Sequence, residues 1–347
     1  MGSFTNVLNE GYKSQPGYQR KLLQTYFTAP EWRNVEMAEE MAAFLKAGNP
    51  FYRYPYFQQI YQFWRVFAKS YSAARKHHSL KDMWFSDYMF MNIFIGVFTT
   101  LGCFFKGIFS LILYPFMRKK NDTSTQQHIA ELVNNYATFI HKIPFFNYSY
   151  VSKIKPLWKA FFQSQKRTVA DFFSVLLVTG ELLGSALTSM PIAWFYNQPQ
   201  NQAAEVIHVV VKTTKSDGEL RLIDERIQLI GETKHKTSKK SGTEYHYVHL
   251  TIPRYEAFQE ITEKLVAAGI LIRKIAGQDH VQFKLHVEKA ADLADTTSTH
   301  YAVLYRYQNY VDAGRFVVID VPTKELNATV TELNAKPNVT LRLIHDF

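Results

Sequence analysis

The sequence predicts an α+β protein: a helical, membrane-embedded N-terminal half followed by a duplicated β-α-β-β-α-β region. Three observations carry that expectation. Two long apolar runs, 88–117 and 172–194, carry their few polar or small residues at helical spacing. After Tyr196-Asn197-Gln198-Pro199 the hydrophobic period changes from helical to alternating. The alternating part then repeats a strand–Pro–helix–strand unit.

The chain has 347 residues, enough for a membrane bundle plus one or two small domains. Hydrophobic residues make up 47% but mean hydropathy is only −0.20, which excludes a polytopic transporter with most of its mass in lipid. Aromatic residues reach 15%, with 27 Phe and 21 Tyr, a composition suited to interfacial belts. The net charge of +10 points to an anionic partner, and an anionic membrane surface accounts for it better than nucleic acid because the basic residues flank the apolar runs. The single cysteine, Cys103, excludes an intrachain disulfide and a cysteine-based zinc site. No apolar core of a cleavable signal peptide stands in the first thirty residues. Met1-Gly2 begins a near-match to a myristoylation signal that fails at Asn6.

Residues 1–82 read as aromatic-rich amphipathic or interfacial helices. Thr28 and Pro30 start one helix and Gly48-Asn49-Pro50 stops it. A second helix begins at Pro55, with Phe57, Ile60, Tyr61, Trp64, Phe67 and Tyr71 on one face. Arg65, Lys69, Arg75 and Lys76 make it a candidate for contact with anionic lipid; packing in an ordinary core is the competing reading. Ser79-x-x-Asp82 resembles a capping box for the next helix.

Residues 83–196 form the expected membrane region. In 88–117 the polar or small residues Asn92, Gly96, Thr99, Cys103, Lys106 and Ser110 form one stripe, which favours a single tilted helix over a shallow hairpin. Pro115 and then Arg118, Lys119 and Lys120 end it, and these three cations are further candidates for lipid headgroups. In the second run, Asp171, Ser174, Glu181, Ser185, Thr188 and Ser189 share one side, and Gly180-x-x-x-Gly184 has the spacing for close helix packing. Lys106 lies 12 residues before Arg118 and Glu181 lies 14 after Arg167. For antiparallel helices that is a depth difference of about 3 Å. Lys106, Glu181, Asn92 and Asp171 are therefore the candidate intramembrane polar seam, with Lys106 and Glu181 facing each other. Their role is either a functional ionisable site or a fixer of helix register. The basic connection 118–167 is expected on the cytoplasmic side.

Residues 197–204 are a linker by composition, and 205–347 hold the repeat. Pro253 to Ile270 spans 17 residues, as does Pro322 to Val339, and Thr262-Glu263 aligns with Thr331-Glu332. The second copy extends to strand 280–287, helix 288–295, strands 301–308 and 315–321, helix 323–335 and strand 338–345. That order is the ferredoxin-like pattern. The halves form either two sandwiches side by side or one larger sheet. Within them, Lys234, Lys236, Lys239 and Lys240 mark a basic hairpin tip, and Tyr301, Tyr305 and Tyr307 occupy one expected strand face. Base stacking on those tyrosines lacks the aromatic motif of RNA-binding sheets, so packing is the expected role.

No catalytic constellation emerges. Phosphate-loop, dinucleotide-binding and nucleophile-elbow motifs are absent. Cys103 lies in an apolar helix where a thiolate is disfavoured. His77, His78 and Asp82 are the closest approach to a metal set, and helix capping explains them as well. The chain therefore reads as a non-catalytic membrane scaffold, with no metal or cofactor. Its expected partners are anionic lipids and either other proteins or further copies of itself, docked on the sheet domain. The alternatives are an oligomeric ion or solute pathway lined by Lys106 and Glu181, or a membrane-bound enzyme.

Overall fold

The computed structural model describes residues 28–76, 79–114, 123–198, 206–232, 236–237, 242, 244–254, 256–277, 280–288, 298–310 and 314–345. The chain divides into a helical unit, Phe27–Ala203 together with Asn309–Asp312, and a sheet unit made from the rest of the chain beyond Ala204.

In the helical unit, α1 (Ala29–Lys46) begins with Pro30 in its first turn and ends where Gly48 takes φ +80°. That left-handed conformation is one glycine adopts without a Cβ penalty. α2 (Tyr56–Ala74) follows Pro55. A short α3 (Leu80–Trp84) precedes α4 (Asp87–Leu113), one unbroken helix over the first apolar run. The cap of α4 is Ser86, whose hydroxyl accepts from the Met89 N–H at 3.2 Å, so Ser79 precedes α3 and Asp82 lies within it, and neither starts the long helix. α5 (Ser124–Ile140) and α6 (Ile154–Gln163) lead to α7 (Val169–Tyr196), which Thr168 and Asp171 start as a reciprocal capping box.

Side-chain contacts give the directions of these helices. α2 runs antiparallel along α4: Phe57 packs on Gly107, the Trp64 indole donates to Thr100 Oγ1 at 2.9 Å, and Tyr71 meets Trp84 edge-on. α4 and α7 are also antiparallel, with Phe109 beside Phe173. α5 starts at Asp171 and Ser174, and the chain beyond it reaches Asn147, which accepts from Asn197 at the far end of α7. It then returns, with Trp158 donating to Thr179 and Phe161 beside Phe172. The described part of the 118–167 connection thus runs the length of α7 and back. It is not a loop gathered at one end. α1 lies between α2 and α5 and also touches α4.

In the sheet unit, β1 (Val206–Thr213), β2 (Gln228–Glu232), β4 (Glu244–Pro253) and β5 (Leu271–Ile275) form one antiparallel sheet. The two-residue β3 (Lys236–Thr237) pairs with β4. β6 (His280–Val287), β7 (Ala302–Gln308), β8 (Arg315–Pro322) and β9 (Val339–Ile344) form the other. Their orders are β2-β4-β1-β5 and β7-β8-β6-β9, so in each sheet the second, third, first and fourth main strands lie side by side. α8 (Asp217–Ile223) follows β1, α9 (Glu256–Ala267) joins β4 to β5, and α10 (Leu326–Asn334) joins β8 to β9. The sheets are separate but share one core, in which Phe258, Ile261 and Leu265 of α9 and Leu326, Val330 and Leu333 of α10 meet Val209, Leu250, Phe283, Leu285 and Ile319.

Two edge strands are occupied by side chains of the opposite half. The Asn327 amide donates to Ile270 O at 2.7 Å and accepts from the Ile272 N–H at 3.4 Å, standing in for a neighbouring strand on β5. Gln259 donates to Leu341 O of β9 at 3.4 Å. The three tyrosines do not share a face. A bulge between Val303 and Tyr305 shifts the register, so Tyr301 joins the core under α10 while Tyr305 and Tyr307 stack on the opposite side. All three are buried, which excludes a stacking platform in this form.

Candidate functional site

The polar stripe of α4 faces inward. Asn92 is buried, Thr99 donates to Asn34 of α1, and the Cys103 sulfur lies 3.9 Å from Met37 Sδ. One turn further, the Lys106 ammonium donates to Glu181 Oε1 of α7 at 2.7 Å and lies 5.4 Å from the centre of the Tyr56 ring. The pair is lopsided: the Lys106 side chain is 8% exposed and that of Glu181 44%. The structure brings these two together but not the rest of the expected seam. Asn92 is 14 residues up α4 from Lys106, about 21 Å, and Asp171 is 10 residues from Glu181, about 15 Å.

Asp171 serves a joint between helices. Its buried carboxylate accepts from Thr168 N–H and Oγ1, from Thr123 Oγ1 at 3.0 Å and from Gln126 Nε2 at 3.1 Å, tying the starts of α5 and α7. Gly180 and Gly184 are exposed, with no atom of the described residues within 4 Å of a Cβ built on either, so this spacing makes no close helix contact among the described residues. Close contact occurs instead at Gly96 and Gly107, where a Cβ lies 2.6 Å from Phe63 and 2.7 Å from Phe57. Of the basic residues, Arg65 is exposed on α2 level with the middle of α4, Lys69 is half-buried, and Arg75 and Lys76 are exposed beyond its end. Arg118, Lys119, Lys120, His77, His78, Lys234, Lys239 and Lys240 lie outside the described residues, as does most of the expected helix 288–295.

The sequence reading missed a second buried charge network, between α1 and α2. Arg33 forks onto Glu40 at 3.0 and 2.9 Å and reaches Glu36 at 3.3 Å and Gln59 Oε1. The Gln59 amide donates to Glu40 at 2.8 Å and to the Tyr54 hydroxyl at 2.9 Å, and that hydroxyl donates to Met37 O. Arg33, Glu36, Glu40 and Gln59 are all buried. Burial pushes the Glu40 carboxyl upward against the pull of Arg33, and burial together with the Glu40 charge raises Tyr54. The available signal was the spacing of Arg33, Glu36 and Glu40 at i, i+3 and i+7, which places them on one helix face.

In the sheet unit, His208 Nδ1 and His249 Nε2 are 2.8 Å apart across β1 and β4. Burial first, and the neighbouring His208 second, lower His249 to about 4. Among the described residues no group of three His, Cys, Asp or Glu could hold a metal. A shallow groove of about 550 Å³ along α5 is lined by Lys46, Glu131, Asn134, Asn135 and Thr138, without a nucleophile–base pair. Compared with known proteins, the chain matches no family model, no curated sequence and no solved structure.

Proposed function

We propose that this chain is a membrane-embedded scaffold whose helical unit sits in lipid and whose sheet unit docks protein partners. The observation that carries the reading is the outward surface of the two long helices. Met89–Ile112 and Val169–Phe195 are long and apolar enough to cross a membrane, yet only 28% and 33% of their most apolar windows are buried. Phe90, Phe98, Phe105, Leu111, Leu176 and Leu187 are exposed along them. A contiguous apolar face of this kind calls for a lipid or protein cover, whereas the core helix of a soluble bundle is buried on most sides. Trp84, Phe85, Trp194 and Phe195 add exposed rings of the kind enriched at membrane interfaces. For the sheet unit, the matching strand orders and the equivalent placing of α9 and α10 support two ferredoxin-like copies, a framework that presents edges and faces to partners.

The second reading is a pathway lined by Lys106 and Glu181 in an oligomer. Its support is the ion pair itself, with the Glu181 carboxylate left partly open on an apolar helix. Purification in mild detergent, with measurement of particle mass and composition, separates the two. Stoichiometric protein partners support the scaffold; a homogeneous oligomer of this chain alone, whose conductance is lost in Glu181→Gln, favours the pathway.

A further inference from the structure

We propose that the helical unit lies along one leaflet, with α4 and α7 parallel to the membrane plane, rather than crossing the bilayer. The inference rests on the membrane reading above and follows from what accompanies the two apolar helices along their whole length. α2 lies against α4 from Phe57 at Gly107 to Tyr71 at Trp84. Its exposed residues are the rings of Phe57 and Tyr61 together with the polar or small Gln58, Arg65, Ala68 and Ser72. Arg65 follows Trp64, whose indole bonds to Thr100, so the guanidinium is level with the middle of the apolar stretch. On the other helix, α5 starts beside Ser174 of α7, the chain beyond it reaches Asn147 at the Asn197 end, and α5 exposes Gln127, Glu131 and Asn135. Glu131 falls midway along it, with 78% of its side chain exposed.

If α4 and α7 crossed the bilayer, Arg65 and Glu131 would stand at mid-depth. A charge at that depth is costly, and the outward amides add to that. Lying along one leaflet removes the conflict. The face made by α4 and α7 enters the acyl region to about 5–10 Å, and the face made by α2 and α5 stays in water. Exposed Lys159, Lys166 and Arg167 then stand beside exposed Phe162, Val169 and Phe172, cations at headgroup level next to rings and aliphatics below it. Glu181, the one ionisable residue exposed on the apolar face among the described residues, stays shallow enough to reach the interface while bonded to Lys106.

The test uses the full chain bound to vesicles of phosphatidylcholine and phosphatidylglycerol. In a Cys103→Ala background, Phe90→Cys, Phe98→Cys, Phe105→Cys and Leu111→Cys carry a fluorophore, and quenching by brominated lipids reads the depth of each. One shallow depth at all four positions is expected. A profile in which the central two lie deeper than the outer two by about 9–12 Å is that of a spanning helix and overturns the orientation while leaving the membrane reading intact. Polarised infrared dichroism of the unaltered chain in oriented bilayers gives the same decision without substitutions: helix axes in the plane are expected, and axes along the normal overturn the proposal. Unquenched probes on a dimeric chain mean that a second copy covers the face and overturn the proposal, and failure to bind vesicles overturns both readings.

Discussion

Lys106 is nearly sealed while its partner keeps a large part of its carboxylate open, so the two ends of the ion pair respond differently to truncation. Glu181→Ala leaves a buried ammonium without its carboxylate and is expected to cost about 1–3 kcal/mol; Lys106→Met costs less, because Glu181 can turn to solvent or headgroups. The double variant is expected to lose less than the sum, with a coupling of at least about 1 kcal/mol in detergent unfolding; additive losses contradict a direct interaction. In the sheet unit, His249 has a folded pKa below its unfolded value, as does the buried His345. The unfolded chain therefore binds more protons between pH 6.5 and about 4, and stability falls as pH drops through that window. The His249 contribution is up to about 3 kcal/mol. Hydrogen exchange of the strand amides measures the loss, and His249→Leu should flatten it; an unchanged slope removes His249 as its source. Register counting along straight helices leads to the neighbourhood of Lys106 and Glu181, because rise per residue is constant. It could not reveal the Arg33 network: Arg33, Glu36 and Glu40 at helical spacing read equally as a solvated stripe, and Gln59, which closes the cluster, comes from another helix.

At the scale of elements, the glycines show how a motif and its use can part. Gly180 and Gly184 carry the recognisable spacing and make no close contact among the described residues, while Gly96 and Gly107 carry the approach of α2 to α4. Gly96→Ala forces a Cβ against the Phe63 ring and is expected to destabilise the helical unit by about 1–3 kcal/mol; Gly180→Ala should leave it unchanged or slightly stabilised. Thermal unfolding of both variants checks the contrast, and equal effects contradict the packing. Most helices and strands were legible from period, prolines and caps, as with the stop at Gly48 and the change of period after Tyr196. Two failures have local causes. Ser79 looked like the start of the long helix because its cap pattern matches, but Ser86 lies next to the apolar run and caps it. Tyr301, Tyr305 and Tyr307 alternate correctly for one face, yet a single bulged residue reverses the side of the last two, and no residue type there announces it.

For the molecule as a whole, the partition into a helical and a sheet unit follows from composition, whereas the course of the helices does not. The connection between the apolar runs reads in sequence as a basic stretch with a helix over 126–142 and an interfacial segment over 143–162, without its course; in three dimensions it lines α7 in both directions, because α5 and the stretch from Tyr150 to Phe161 have apolar faces to bury against it. That packing leaves the outer faces of α4 and α7 as the apolar surface on which the membrane reading depends. The most direct measurement is flotation of the full chain with vesicles of phosphatidylcholine and phosphatidylglycerol, followed by washes in high salt and alkaline carbonate. The account predicts that the chain floats with lipid and stays there through both washes, since apolar burial rather than charge holds it. A monodisperse monomer left in the aqueous fraction contradicts it.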